Sequence, residues 1–125
     1  MTWFTASVLI AIKPEGYVSG SIQVYENMYL IEASTAHDAA RKAEALGRQE
    51  ASITDDDLTI DDKPATRVFV GIRKLISVSN PAPLDLDQDR PIDGTEVTYA
   101  VYQVADEAAL NRLAEGGQVE VLYLE

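Results

Sequence analysis

The chain has 125 residues, of which 46% are hydrophobic and 25% charged, and its formal net charge is −11. This length and composition are typical of one globular domain with a real core, spanning residues 1–125. The acidic charge argues against nucleic acid and anionic membrane as ligands, because both attract basic surfaces. The absence of cysteine excludes disulfides, thiolate metal sites and cysteine nucleophiles, and it agrees with a cytoplasmic protein.

The first two predicted strands form a hairpin. In residues 3–12, Phe4, Val8 and Ile10 fall on one face of a half-buried strand, and this apolar run is too short for a membrane span. A turn follows at residues 13–16. The second strand, residues 22–33, places Tyr25 and Tyr29 on a common face.

A helix is predicted after the hairpin. Ser34 or Thr35 is a suitable N-cap, and alanines recur at helical spacing through residues 36–43, so this helix can lie close to a sheet. Gly47 is the predicted C-terminal stop. The pattern then weakens, with a short edge strand expected within residues 53–60.

Residues 67–78 are predicted to be the central strand of the sheet. Val68, Val70 and Ile72 alternate with Phe69 and Gly71, so both faces are apolar or small, as in a strand that is covered on both sides. The alternation breaks at residues 73–74, and a β-bulge there explains the change of phase.

The remaining elements follow a long acidic loop at residues 79–94. Residues 95–105 alternate as a strand, Asp106 caps a second helix that ends at residues 116–117, and residues 119–123 alternate again. The chain is therefore predicted to be an α+β domain with the order ββα(β)ββαβ. We expect a single sheet of about five to six mostly antiparallel strands with two helices packed on one face.

The loop contains one motif with metal chemistry. Its acidic residues occupy positions one, three, five, nine and twelve of a calcium loop; they are Asp85, Asp87, Asp89, Asp93 and Glu96. Arg90 stands where that loop needs glycine, and the flanking segments are not helices. A solvated acidic loop is therefore the favoured interpretation, with calcium or small-molecule binding through residues 85–96 as the alternative.

Catalytic signals are weak. The one histidine, His37, is predicted on the exposed face of the first helix, where a lone histidine is typically solvated. No glycine-rich phosphate loop is present. A carboxylate-dependent hydrolase remains a further alternative, since acidic residues are many, but they concentrate in predicted turns. We expect a non-enzymatic protein without a cofactor.

Aromatic residues are the other candidate feature. Four of them are predicted to form a contact surface, because tyrosine and tryptophan are enriched at interfaces; they are Trp3, Tyr25, Tyr29 and Tyr99. Cross-strand aromatic pairing within the sheet is the structural alternative.

Several short spaced motifs also suggest a family. They are Trp3-Phe4 with Ala6, Glu26, the helix residues Ala36, Ala39, Lys42-Ala43-Glu44 and Leu46-Gly47, then Phe69-Val70-Gly71-Ile72, Asp93-Gly94-Thr95-Glu96-Val97 and Tyr99. Through them the chain resembles, over about residues 3–102, the bacterial domain of unknown function 4288. The resemblance implies a compact bacterial α+β domain without an assigned activity or cofactor, and it transfers no catalytic residue. It also implies that residues 93–96 form a turn into a strand rather than a metal loop.

The leading prediction is a cytoplasmic bacterial protein-interaction module that self-associates or binds a basic partner. An acidic inhibitor of a basic toxin, as immunity proteins are, is one form of it. This prediction rests on the acidic charge, the aromatic strand faces and the weakness of every catalytic pattern.

Overall fold

The computed structural model describes residues 1–53, 57–81 and 90–124. Its elements are, in chain order, β1 (Thr2–Pro14), β2 (Gln23–Ala33), α1 (Ala36–Ala51), β3 (Thr59–Ile60), β4 (Lys63–Ser77), β5 (Tyr102–Gln103), α2 (Glu107–Ala114) and β6 (Leu122–Tyr123). The architecture is mixed α and β, as predicted.

In the described ranges six strands form two antiparallel sheets, and the prediction of a single sheet is therefore wrong. Four strands lie in the order β2-β1-β4-β3, while β5 and β6 pair separately. Residues 67–78 were predicted to form the central strand, but the central strand is β1. β4, which contains most of these residues, pairs with β3 only through the first two residues of β4. β1 is small or apolar on both faces, and both its Phe4 face and its Thr5 face are buried.

The predicted bulge in the fourth strand is confirmed. Ser7 of β1 lies opposite Lys74, but the next residue, Val8, lies opposite Ile72, so Arg73 is an extra residue. A second register shift follows between Leu9 and Ile10. Bulges of this kind turn side chains in new directions, and here Arg73 and Lys74 both reach the segment that follows the long loop.

α1 packs on β1, β2 and β4 through its small residues. Thr35 caps it, its Oγ1 accepting a hydrogen bond from the Asp38 amide at 3.1 Å. Gly47 is not the predicted C-terminal stop, since the helix continues to Ala51. A Cβ atom at Gly47 would lie 2.6 Å from the Phe69 ring and 2.7 Å from Val8 Cγ1. Gly47 therefore allows the helix to approach the sheet closely.

The last third of the described chain covers the sheet face opposite α1. The Thr5 hydroxyl donates to the Val97 carbonyl, and Lys74 Nζ donates to the Tyr99 carbonyl. Most of the predicted strand 95–105 runs across this face without strand pairing, apart from β5 and a single bridge between Ser79 and Glu96.

The prediction that both helices pack on one face holds for α1 only. No strand or helix of the described ranges lies as close to α2 as the sheet lies to α1. None of the helices described is long and apolar enough to cross a membrane.

Candidate functional site

β2 is an edge strand, and every second residue of it turns its backbone away from β1. Trp3 lies opposite Glu32, and the Trp3 carbonyl accepts a hydrogen bond from the Val78 amide of the other neighbouring strand segment at 3.0 Å. In an antiparallel strand the N–H and C=O of one residue point to the same side. The Trp3–Glu32 pair is therefore not hydrogen-bonded, and the Glu32 backbone faces outward.

The β1–β2 register has no shift, so the alternation continues along β2. Lys42 Nζ donates to the Glu32 carbonyl at 2.5 Å and occupies that end of the edge. No strand in the described ranges pairs with the other outward-facing backbones. We call these backbones the free edge; they belong to Val24, Glu26, Met28 and Leu30.

Apolar side chains accompany the free edge. Val24, Met28 and Leu30 point away from α1 and are 50%, 52% and 48% exposed. Charged side chains and proline commonly protect edge strands from pairing; β2 contains no lysine, arginine or proline, and Glu26 of the free edge is paired with Arg73 of the same chain. β4, by contrast, contains two bulges together with Arg73 and Lys74. The free edge is therefore less protected against pairing than the fourth strand.

A groove of about 490 Å³ runs beside this edge. It lies between Leu46 and Gln49 of α1 and the β2 residues Leu30 and Glu32, and Trp3 contributes to its lining. The Trp3 Nε1 atom is buried, and no described residue accepts a hydrogen bond from it. The groove thus offers apolar surface next to the unpaired backbone.

The four aromatic residues predicted to interact do not form one surface. Tyr25 and Tyr29 lie opposite Ile10 and Ala6 of β1 and therefore face the α1 side. Trp3 lies on the other face. Tyr99 also lies on that other face, with Lys74 Nζ 3.6 Å from its ring centroid. Sequence periodicity established which residues share a face within one strand but not across strands.

The phenol group of Tyr29 has a raised pKa. Partial burial is the main cause that raises its pKa above the ordinary value of 10.0, and the negative charge of Glu50 adds to the effect. Glu50 belongs to the last turns of α1, so this interaction couples the helix to β2.

The contacts that Arg73 makes from the β4 bulge were not predicted from the sequence. The Arg73 guanidinium lies 4.4 Å from the Tyr123 ring centroid, and its Nη1 donates to Glu26 Oε2 at 3.2 Å. Tyr123 packs edge-on against Tyr102, with centroids 5.6 Å apart. The break in alternation at residues 73–74 was the available signal, but it did not indicate which residues the cations contact.

Most of the predicted calcium loop lies outside the described residues, since Asp85, Asp87 and Asp89 are not among them. Asp93 is exposed in a turn closed by a hydrogen bond of 3.0 Å from the Thr95 amide to the Ile92 carbonyl. The neighbouring Glu96 pairs its backbone with Ser79. In the described ranges no group of three or more potential metal ligands occurs. Calcium binding by this loop stays a prediction.

Comparison with known protein families identifies the following match. The model of a family described as "Domain of unknown function (DUF4288)" matches residues 3–85. This range is shorter than the expected 3–102, and it contains β1 to β4 and α1 but not residues 90–124. No curated protein and no solved structure matches the chain.

Proposed function

Since the chain belongs to the family Domain of unknown function (DUF4288), whose description assigns no role, we propose a function from its surface. The protein is an interaction module that binds another polypeptide by adding a strand to the free edge of β2. The observation that carries this proposal is the free edge itself, where every second backbone from Val24 to Leu30 has no strand partner in the described ranges and lies beside exposed apolar side chains. Edges of this kind are templates for another strand.

The surroundings of the edge fit strand addition. In this mode of recognition the backbone hydrogen bonds supply affinity, and pockets for alternate side chains supply specificity. The groove beside Leu30 and Leu46 can take apolar side chains of an added strand.

A library of random peptides displayed on phage tests this function. We expect the wild-type protein to retain peptides that alternate apolar residues, and the Met28→Lys variant to lose them, because a charged side chain protects an edge. Val70→Lys is the matched control, since Val70 is 57% exposed in β4. Equal retention by the wild-type and Met28→Lys proteins would show that binding does not use the free edge.

Binding of a basic protein is a second candidate, favoured by the distribution of charge. Residues 54–125 contain fifteen acidic and six basic side chains, a balance of −9. A basic toxin inhibited by a bacterial cytoplasmic protein of the immunity type would engage this part of the chain. A toxin gene beside this one, with inhibition of the purified toxin that weakens in salt, would support it. An unrelated neighbourhood and no inhibition would count against it.

A further inference from the structure

We propose that the polypeptide which occupies the free edge is a second copy of this chain, and this inference rests on the proposed function. The two copies pair antiparallel through β2, with a two-fold axis at Asn27. The two four-stranded sheets then become one continuous sheet.

The free edge is symmetric about Asn27. Its four outward-facing residues are Val24, Glu26, Met28 and Leu30. An axis at Asn27 places Val24 opposite Leu30 and Glu26 opposite Met28 of the other copy, so every free backbone finds a partner. An axis at Met28 would instead place Val24 opposite Glu32, whose carbonyl already accepts a hydrogen bond from Lys42.

The side chains agree with this register. Tyr25 of one copy lies opposite Tyr29 of the other on the α1 side, and aromatic pairs across strands are favourable. No glutamate lies opposite another glutamate. Glu26 is already paired with Arg73 of its own chain at 3.2 Å, so its carboxylate does not enter the contact as an isolated charge.

The distribution of charge favours a second copy over a strongly charged partner at this edge. Residues 1–53, which contain β1, β2 and α1, have six acidic and four basic side chains, a balance of only −2. Pairing through β2 brings these nearly neutral parts of the two chains together. This arrangement limits the repulsion between two chains of net charge −11.

Light scattering and a cysteine cross-link test the proposal. Because the chain has no cysteine, Asn27→Cys introduces a single thiol on the axis, where opposed Cα atoms are about 4.5–5.5 Å apart and a disulfide can form. Tyr25→Cys is the matched control on the same face of β2. Its thiols would be about 14 Å apart along the strand direction, which is too far for a disulfide.

We expect a dimer by light scattering that becomes a monomer in Met28→Glu, which places a carboxylate opposite Glu26 of the other copy, but not in Val70→Glu. On mild oxidation we expect near-complete cross-linking of Asn27→Cys and at least tenfold slower cross-linking of Tyr25→Cys. Circular dichroism of each variant verifies that it is folded.

The outcomes separate the two proposals. A monomer at all concentrations, a dimer that Met28→Glu leaves intact, or equal cross-linking of both cysteine variants would overturn pairing about Asn27. If the peptide selection still depends on Met28 in that case, strand addition stands with a different occupant. If the selection also fails, the proposed function fails with it.

Discussion

At the scale of single residues, Gly47 determines how closely α1 approaches the sheet. A methyl group there would overlap Phe69 and Val8. Overpacking costs about 1–3 kcal/mol, while alanine improves helix propensity by about 1 kcal/mol. We therefore expect Gly47→Ala to lower the free energy of unfolding by about 1 kcal/mol in urea denaturation. Gly71→Ala is the control, because no atom lies within 4 Å of a Cβ there; a similar loss in both variants would contradict the packing argument.

Ionisation of Tyr29 makes the free energy of unfolding depend on pH in the alkaline range. Its pKa is raised above 10.0 in the folded protein, by burial first and Glu50 second. The phenol therefore stays protonated in the folded chain when the unfolded chain begins to ionise, so its contribution is complete below pH 10 and is lost as pH rises through the folded value. We expect the wild type to lose more stability than Tyr29→Phe in that window. The difference in tyrosinate absorbance between them should show the raised pKa.

The same titration separates the two causes. Glu50→Gln should lower the pKa of Tyr29 toward its ordinary value without restoring it, because the larger cause, burial, remains. An unchanged titration curve in Glu50→Gln would exclude the electrostatic contribution.

At the scale of elements, the bulge in β4 holds the C-terminal segment on the sheet. Arg73 contacts both Glu26 and the Tyr123 ring, and contacts of these two kinds contribute about 0.5–1 kcal/mol each. We expect Arg73→Ala to accelerate amide exchange in residues 97–103 and 122–124, with a change of about 1 kcal/mol in local opening. Hydrogen exchange followed by mass spectrometry measures it.

Arg48→Ala is the matched variant for this test. Arg48 also stacks on an aromatic ring, Phe69, at 4.8 Å, and pairs with Glu44, but on the α1 side of the sheet. The Arg48→Ala variant should leave amide exchange in residues 97–103 and 122–124 unchanged. If both variants accelerate that exchange equally, the effect comes from general loss of stability and not from the bulge.

The elements that sequence predicted best are those that local chemistry determines. Thr35 as a cap, the alanine face of α1 and the bulge at Arg73 each follow from neighbouring residues. The division into two sheets does not, because it depends on contacts such as that between Thr5 and Val97, which are 92 positions apart. For the same reason, periodicity predicted that Tyr25 and Tyr29 share a face, but not that their strand forms an edge. Strand order decides that, and alternation contains no information on strand order.

At the scale of the whole molecule, the net charge predicts how salt affects pairing through β2. Two chains of charge −11 repel each other, and the repulsion is screened beyond about 8 Å at physiological ionic strength. Backbone hydrogen bonds and apolar contacts at the free edge are little affected by such screening. We therefore expect the dimer to tighten as salt rises from low to physiological concentration and then to change little. Light scattering over a dilution series at several ionic strengths gives the dissociation constants, with Met28→Glu as the monomeric reference. A dimer that weakens steadily with salt would mean that complementary charges hold the copies together, which the balance of −2 in residues 1–53 does not provide.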